Sequence, residues 1–318
     1  MSSFEVLMPL PGMPQIVERL ERRVTLHKLW ELADPEATLA EIAPNVRGLV
    51  SVWARVDAEL MRLLPKLEIV SSFGVGYDHV DAAWAGKHGI IVTHTPGVLD
   101  DDVADIAIAL TLAAVRRLPQ AERHLREGRW PQGPFPLTAT LRGRRMGILG
   151  LGRIGKAIAR RAEAFGLAIA YHGRRQQEEA PYPYYPTPLA LAEACDILMV
   201  AAPGGAETRH IVDARVLAAL GADGVLVNVA RGSLVDEAAL IAALRDGTIL
   251  AAGLDVYEHE PHPPAELVGL DNVALLPHVA SATVHTRAAM ADLTVDNLLS
   301  WIDGKGPLTP TPETPWRR

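Results

Sequence analysis

Short apolar runs alternate along the chain with stretches whose apolar positions recur at helical spacing. In the first hundred residues the runs predict strands at 5–8, 24–29, 48–53, 67–71 and 90–93, with helices at 14–22, 35–42, 57–63 and 80–87 between them. This βα alternation predicts a parallel, doubly wound sheet, complete before the second half begins. Thr95-Pro96-Gly97 then breaks the pattern and is the expected hinge. Asp100, Asp101 and Asp102 suit the positive end of a helix expected to run on through Arg126. The segment 128–138, GRWPQGPFPLT, is too rich in Pro and Gly for either regular element. Its Trp130 and Phe135 read as an arm docking on a second subunit, with packing on its own subunit as the alternative.

A second alternation follows, with strands at 146–149, 167–171, 197–201, 225–229, 251–255 and 272–276, helices at 214–220 and 237–245, and a last helix at about 283–301. Between the first two strands lies Gly150-Leu151-Gly152-Arg153-Ile154-Gly155. In a strand–turn–helix setting these glycines have separate tasks. Gly150 makes the tight turn, Gly152 lets a pyrophosphate approach the backbone, and Gly155 lets helix and strand pack closely. That spacing predicts a dinucleotide site, the phosphates resting on the helix N-terminus. The next strand ends in Tyr171-His172-Gly173-Arg174-Arg175, without a carboxylate until Glu178. An NAD site places Asp or Glu there for the ribose 2′-hydroxyl. Two guanidiniums in its place favour a 2′-phosphate, hence NADP(H), with NAD(H) as the alternative.

Composition narrows the classes. The 318 residues suffice for two domains, and a net charge of −7 argues against nucleic acid or an anionic membrane as the main partner. The single cysteine, Cys195, enters an apolar run and reads as a packed thiol in a reducing, cytoplasmic setting. No secretory leader and no apolar run of spanning length is evident. The tyrosines of 181–186, PYPYYP, read as a loop and, lacking basic neighbours, as no platform for nucleic acid. The tail from Gly304 reads as extended.

Ligands of open α/β sheets bind beyond the carboxyl ends of the strands. That rule selects Val75 and Gly76, Arg231, Asp255, Glu258, Glu260 and His278. A guanidinium can fork onto the carboxylate and carbonyl of a 2-oxo acid, and backbone N–H groups at Val75–Gly76 could bind the carboxylate without adding charge. Hydride addition puts charge on the carbonyl oxygen, so a proton donor must lie within reach. An imidazole backed by a carboxylate suits that role. Spacing does not rank Glu258 against Glu260, and Asp255 could cap its strand or face the nicotinamide. Trp53 and Arg55 could line the pocket for the substrate side chain or be surface residues.

GILGLGRIGKAIARR, NVARGSLVDE, GLDVYEHEP, LLPHVASAT, FGVGYDHVD and TPGVLDDDVADIAIALTL occur in the order seen in the D-isomer-specific 2-hydroxyacid dehydrogenases, and the chain resembles that family over nearly its whole length. Through YHGRR, the Trp-bearing arm and HVASAT it is most similar to the glyoxylate/hydroxypyruvate reductases. The resemblance implies a flavodoxin-like substrate domain, 1–97 with about 284–318, and a Rossmann cofactor domain, 98–283, with a cleft between. It implies Arg231, Glu260 and His278 as the catalytic set, which ranks Glu260 over Glu258. Val75, Gly76 and Ser281 are implied to bind substrate. Gly150 to Gly155, Gly173 to Arg175, Ala202, Pro203, Val229, Ala230 and Asp255 are implied to bind the cofactor. It further implies a homodimer clasped through the cofactor domains, no metal, and reduction of small 2-oxo acids. Rival readings are another dehydrogenase on this scaffold or a dinucleotide-sensing corepressor. A formate enzyme would carry Gln at the position of Glu260, and HVAS here replaces the commoner HIGS.

Overall fold

The computed structural model describes residues 4–32 and 34–316. Contacts divide the chain into two units, one of residues up to Leu99 together with those from Thr283 onward, the other Asp100–Ala282. The first unit opens with β1 (Glu5–Met8), α1 (Pro14–Glu21), β2 (Thr25–Lys28), α2 (Pro35–Ile42), β3 (Val46–Ser51), α3 (Ala58–Leu63), β4 (Ile69–Ser72), α4 (Ala82–Lys87) and β5 (Ile91–Thr93). All strand pairs are parallel, in the order β2-β1-β3-β4-β5. The winding reverses between β1 and β3. Three helices start on aspartates: Asp34, Asp57 and Asp81 accept from the N–H groups of Ala37, Leu60 and Trp84 at 2.9–3.0 Å. Each such cap is worth about 1 kcal/mol.

The last helix, Val284–Ile302, belongs to this unit. Arg19 of α1 pairs with its Asp292 and Asp296, at 2.7 and 2.6 Å, and the buried Ser71 hydroxyl donates to the Thr294 carbonyl at 2.7 Å. Beyond the helix the tail bridges to the edge strand at Thr93 and Pro310, and Thr311 N–H donates to the Val92 carbonyl. The tail therefore lies along the edge strand β5 through one isolated antiparallel bridge without adding a strand to the five; residues 317–318 of that segment lie outside the described residues.

The second unit runs α5 (Asp100–Arg116), α6 (Leu118–Arg126), β6 (Arg145–Leu149), α7 (Arg153–Ala164), β7 (Ala168–His172), α8 (Pro188–Glu193), β8 (Ile197–Val200), α9 (Ala214–Leu220), β9 (Val225–Asn228), α10 (Glu237–Arg245), β10 (Ala251–Leu254), α11 (Ala265–Val268) and β11 (Val273–Leu275). Its six parallel strands lie in the order β11-β10-β9-β8-β6-β7, reversing between β6 and β8. β8, β9 and β10 are buried throughout, as their unbroken apolar runs require.

Two local readings of the sequence are corrected. The single helix expected from Asp100 to Arg126 is two helices. Pro119 would remove a helical hydrogen bond and clash with the carbonyl four residues earlier, so the chain turns at Arg117, which sits at φ 51°. The three aspartates do lie in the first turn of α5, but Asp101 also pairs with Arg161 of α7 at 3.0 Å, and Asp105 joins it at 2.5 Å. Asp101 and Asp105 thus fasten two helices together, Asp101 while also meeting the helix dipole. The short α8 and α11 carry too few turns to show periodicity and have no counterpart in the sequence reading.

Candidate active site

The turn from β6 into α7 has the shape its glycines predict. Gly150 adopts φ 102°, and a Cβ on it would lie 2.6 Å from the Ala202 backbone at the switch between β6 and β8. A Cβ on Gly155 would lie 2.2 Å from the Gly150 carbonyl oxygen, so helix and strand meet there without a side chain between them. A Cβ on Gly152 would meet no atom within 4 Å. The backbone around Gly152, at the N-cap of α7, is thus open to a group approaching the helix N-terminus, and the turn fits a dinucleotide pyrophosphate. Leu151, Arg153 and Ile154 complete the turn. Gly173, Arg174 and Arg175 follow β7, with both arginines exposed. Ala202 and Pro203 follow β8, and Val229 and Ala230 follow β9, all at the carboxyl edge of the sheet.

At the same edge, within the same unit, stands the second cluster. His278 Nδ1 lies 2.6 Å from Glu260 Oε2, while Glu260 Oε1 accepts from the Tyr257 N–H at 3.0 Å. Burial works to raise the Glu260 pKa. The His278 hydrogen bond and charge, the Tyr257 N–H and the Arg231 charge overcome it and hold the carboxyl below the usual range. Glu258 faces elsewhere, accepting from Arg209 at 2.5 Å and lying 3.0 Å from His210 Nε2. Geometry therefore separates two glutamates that spacing alone left level.

Two supports hold this cluster. Asp255, fully buried, accepts from the N–H groups of Val279 and Ala280 at 2.8 and 2.9 Å, and its own carbonyl accepts from the His278 N–H. Burial raises its pKa, against the pull of those two N–H groups. The brace secures His278 at φ 54°, a left-handed conformation that costs a non-glycine residue about 1–2 kcal/mol. The second support is Gly232, where a Cβ would fall 1.8 Å from the Tyr257 carbonyl carbon. Only glycine lets the Arg231 loop touch the loop that carries Glu260. Asn228 locks that loop, its Nδ2 donating to the Arg231 carbonyl at 2.8 Å and its Oδ1 accepting from Ala230. Gly232 was legible as a sign that Arg231 lies in a buried cleft, but its contact with Tyr257 was not, and sequence reasoning gave Asn228 no role although NVARG places it at a strand end. Ser281 follows the braced turn and is half-buried.

In the first unit, Val75 and Gly76 follow β4, and the Val75 carbonyl is held by His94 Nδ1 at 2.8 Å. A cavity of about 320 Å³ opens at the carboxyl ends of β1, β3 and β4, lined by residues that include Trp53, Phe73 and Arg287. The Arg287 guanidinium lies 5.9 Å from the Trp53 ring centre and 5.7 Å from that of Phe73. Trp53 is thus a cavity residue, whereas Arg55 is 83% exposed and pairs with Asp57 at 3.1 Å. Arg287, in the first turn of a helix, gave no signal in the sequence.

Residues 108–280 match the family model described as "D-isomer specific 2-hydroxyacid dehydrogenase, NAD binding domain". The chain belongs to that family. It is 50% identical to glyoxylate/hydroxypyruvate reductase A of Arabidopsis thaliana over 98% of its length and 99% of that protein's. It is 48% identical, with the same coverage, to hydroxyphenylpyruvate reductase of Plectranthus scutellarioides. Among solved structures it resembles an NADPH-dependent glyoxylate/hydroxypyruvate reductase of Sinorhizobium meliloti, in complex with NADP and malonate. There the TM-score is 0.94 at 51% identity, covering 100% of this chain and 99% of the other. The protein is accordingly an NAD(P)-dependent 2-hydroxyacid dehydrogenase with the two-sheet α/β fold of its relatives.

Cys195 is buried, its thiol pushed up to about 12 by burial, as suits a packed side chain. The Phe135 ring packs edge-on against His124 at 5.6 Å and under Arg117, so that half of the arm rests on its own subunit. Trp130 remains 66% exposed. Among the described residues no helix is long and apolar enough to cross a membrane, and no cluster of His, Cys, Asp or Glu could hold a metal.

Proposed function

We propose that the protein reduces glyoxylate to glycolate and hydroxypyruvate to D-glycerate, with NADP(H) preferred and NAD(H) the weaker cofactor. The observation that carries the reading is the His278–Glu260 pair beside Arg231, on one sheet edge with a turn shaped for a dinucleotide. The Gly150–Gly155 turn would hold the cofactor, with Arg174 and Arg175 at its 2′-phosphate, and once bound it would supply the hydride that C2 of the oxo acid takes up. Arg231 forks onto the substrate carboxylate and carbonyl, orienting C2 and drawing charge toward the oxygen. His278, anchored at Nδ1 by Glu260, gives the proton from Nε2 as that charge develops. Ser281, Val75 and Gly76 are further substrate contacts, and Ala202, Pro203, Val229, Ala230 and Asp255 further cofactor contacts, on the strength of the sequence likeness. A homodimer through the cofactor domain would use the arm, where Trp130 and Leu137 are exposed and tryptophan is a residue enriched at interfaces. A single buried cysteine suits a reducing cytoplasm.

The test follows NADPH absorbance with glyoxylate, hydroxypyruvate, pyruvate and phenylpyruvate, and then repeats it with Arg231→Ala. Turnover of the first two, depressed at least a hundredfold in the variant, supports the assignment. Cofactor binding without turnover of any oxo acid would favour a sensing protein instead. An unchanged kcat/KM in Arg231→Ala would remove that residue from the mechanism.

A further inference from the structure

The tyrosine-rich segment after β7 has a structure of its own, and it surrounds the two arginines. Tyr171, in β7 and fully buried, donates its N–H to the Pro183 carbonyl, while Tyr185 N–H donates back to the Tyr171 carbonyl, both at 2.9 Å. His172 Nδ1 lies 2.9 Å from the Tyr185 carbonyl oxygen. This stem closes residues 173–183 into a loop. At its neck, the Tyr184 hydroxyl donates to the Gly173 carbonyl at 3.2 Å. Gln177 N–H donates to the Tyr171 hydroxyl at 2.7 Å, and Gln177 Nε2 donates to the Leu151 carbonyl at 2.8 Å. Gly173 and Gln177 are therefore pinned on either side of Arg174 and Arg175.

The pin on Leu151 carries the functional weight, because Leu151 lies between Gly150 and Gly152 in the phosphate turn. One side chain fixes the spacing between the backbone that holds a pyrophosphate and the arginines that would hold a 2′-phosphate. Exposed arginines on a free loop would lose conformational freedom on binding; a loop closed beforehand has less to lose. We infer that Gln177, with the Tyr171 hydroxyl, is a positioning residue for cofactor choice: it presets Arg174 and Arg175 for the 2′-phosphate without touching the cofactor. The inference rests on the NADP(H) reading above and extends it to residues that the arginine signature does not include.

The test compares wild type with Gln177→Ala, Tyr171→Phe and Arg175→Ala. Calorimetric titration uses 2′,5′-ADP and 5′-AMP as probes, and steady-state kinetics use NADPH and NADH. In Gln177→Ala the 2′,5′-ADP Kd and the NADPH KM should rise roughly tenfold, as expected for one lost hydrogen bond plus loop ordering. Affinity for 5′-AMP, the NADH KM and kcat should stay within twofold. Tyr171→Phe should move the same quantities in the same direction. A residue that merely stabilised the domain would weaken both probes alike, and that result would overturn the inference. Unchanged 2′,5′-ADP affinity in Gln177→Ala beside a loss in Arg175→Ala would overturn it while leaving the arginines in place. A wild type binding 5′-AMP as tightly as 2′,5′-ADP would overturn both readings together.

Discussion

Replacing Asp255 by Asn tests how His278 is held. The carboxylate is fully buried and accepts two backbone N–H groups, those of Val279 and Ala280. Asn offers one acceptor oxygen, so one of those donors would instead face an NH2 group. Losing a hydrogen bond to a charged, buried acceptor costs about 1.5–3 kcal/mol. Removing a charge whose pKa burial has already raised offsets part of that, which leaves a net loss of about 1–2 kcal/mol. For a domain of roughly 150–250 residues this lowers Tm by about 2–8 °C. The larger effect falls on chemistry. With the turn loosened, the left-handed backbone at His278 can relax and carry the imidazole away from its working position. A misplacement of about 1 Å costs up to roughly a hundredfold in rate. The assay is paired: thermal unfolding, and kcat for hydroxypyruvate at saturating NADPH. Asp255→Asn with wild-type Tm and wild-type kcat would refute the reasoning; a lower Tm with full kcat would confine Asp255 to stability.

Three further outcomes follow from the same contacts. Gly232→Ala places a methyl on the Tyr257 backbone, where no rotamer relieves it, so a loss of at least about 1–3 kcal/mol and a fall in kcat/KM are expected; wild-type unfolding and kinetics would show that the two loops are not in contact. Glu258 has its pKa lowered: burial opposes ionisation, but His210 and Arg209 outweigh it. Its stabilisation is therefore present above the unfolded value near 4.5 and lost as pH falls through the lower folded value. Acid titration of Glu258→Gln should then show a shallower loss of stability below pH 4.5 than wild type, and parallel curves would exclude the linkage. Trp130→Ala should weaken self-association, read by analytical ultracentrifugation, with unfolding of the monomeric domain unchanged; an unaltered oligomeric state would remove the arm from any interface.

Much of this was legible because the signals are local. A buried parallel strand needs an unbroken apolar run, and a phosphate turn needs glycines at fixed spacing, so both sheets and the Gly150–Gly155 turn can be read from neighbouring residues. The Arg231, Glu260 and His278 positions were legible as polar residues at strand ends. What held them there was not. Asp255 bracing the turn at Val279–Ala280, Gly232 against Tyr257, and Gln177 reaching Leu151 join segments 24 to 26 residues apart, and nothing in local periodicity marks such pairs. The break at Arg117 is legible from Pro119, which the expectation of one continuous helix to Arg126 left out of account. The return of the last helix to the first unit was expected, but which of its residues meets Trp53 was not, because periodicity along the helix does not single out Arg287.

The central claim is that His278 and Glu260 deliver a proton as one unit. A double-mutant cycle on kcat for hydroxypyruvate reduction, with His278→Ala, Glu260→Gln and the double variant, measures it directly. If the pair acts together, the double variant is no slower than His278→Ala alone, because Glu260 has nothing left to orient. Losses that multiply, the double variant falling by the product of the two single effects, would mean the residues act independently and would contradict the account.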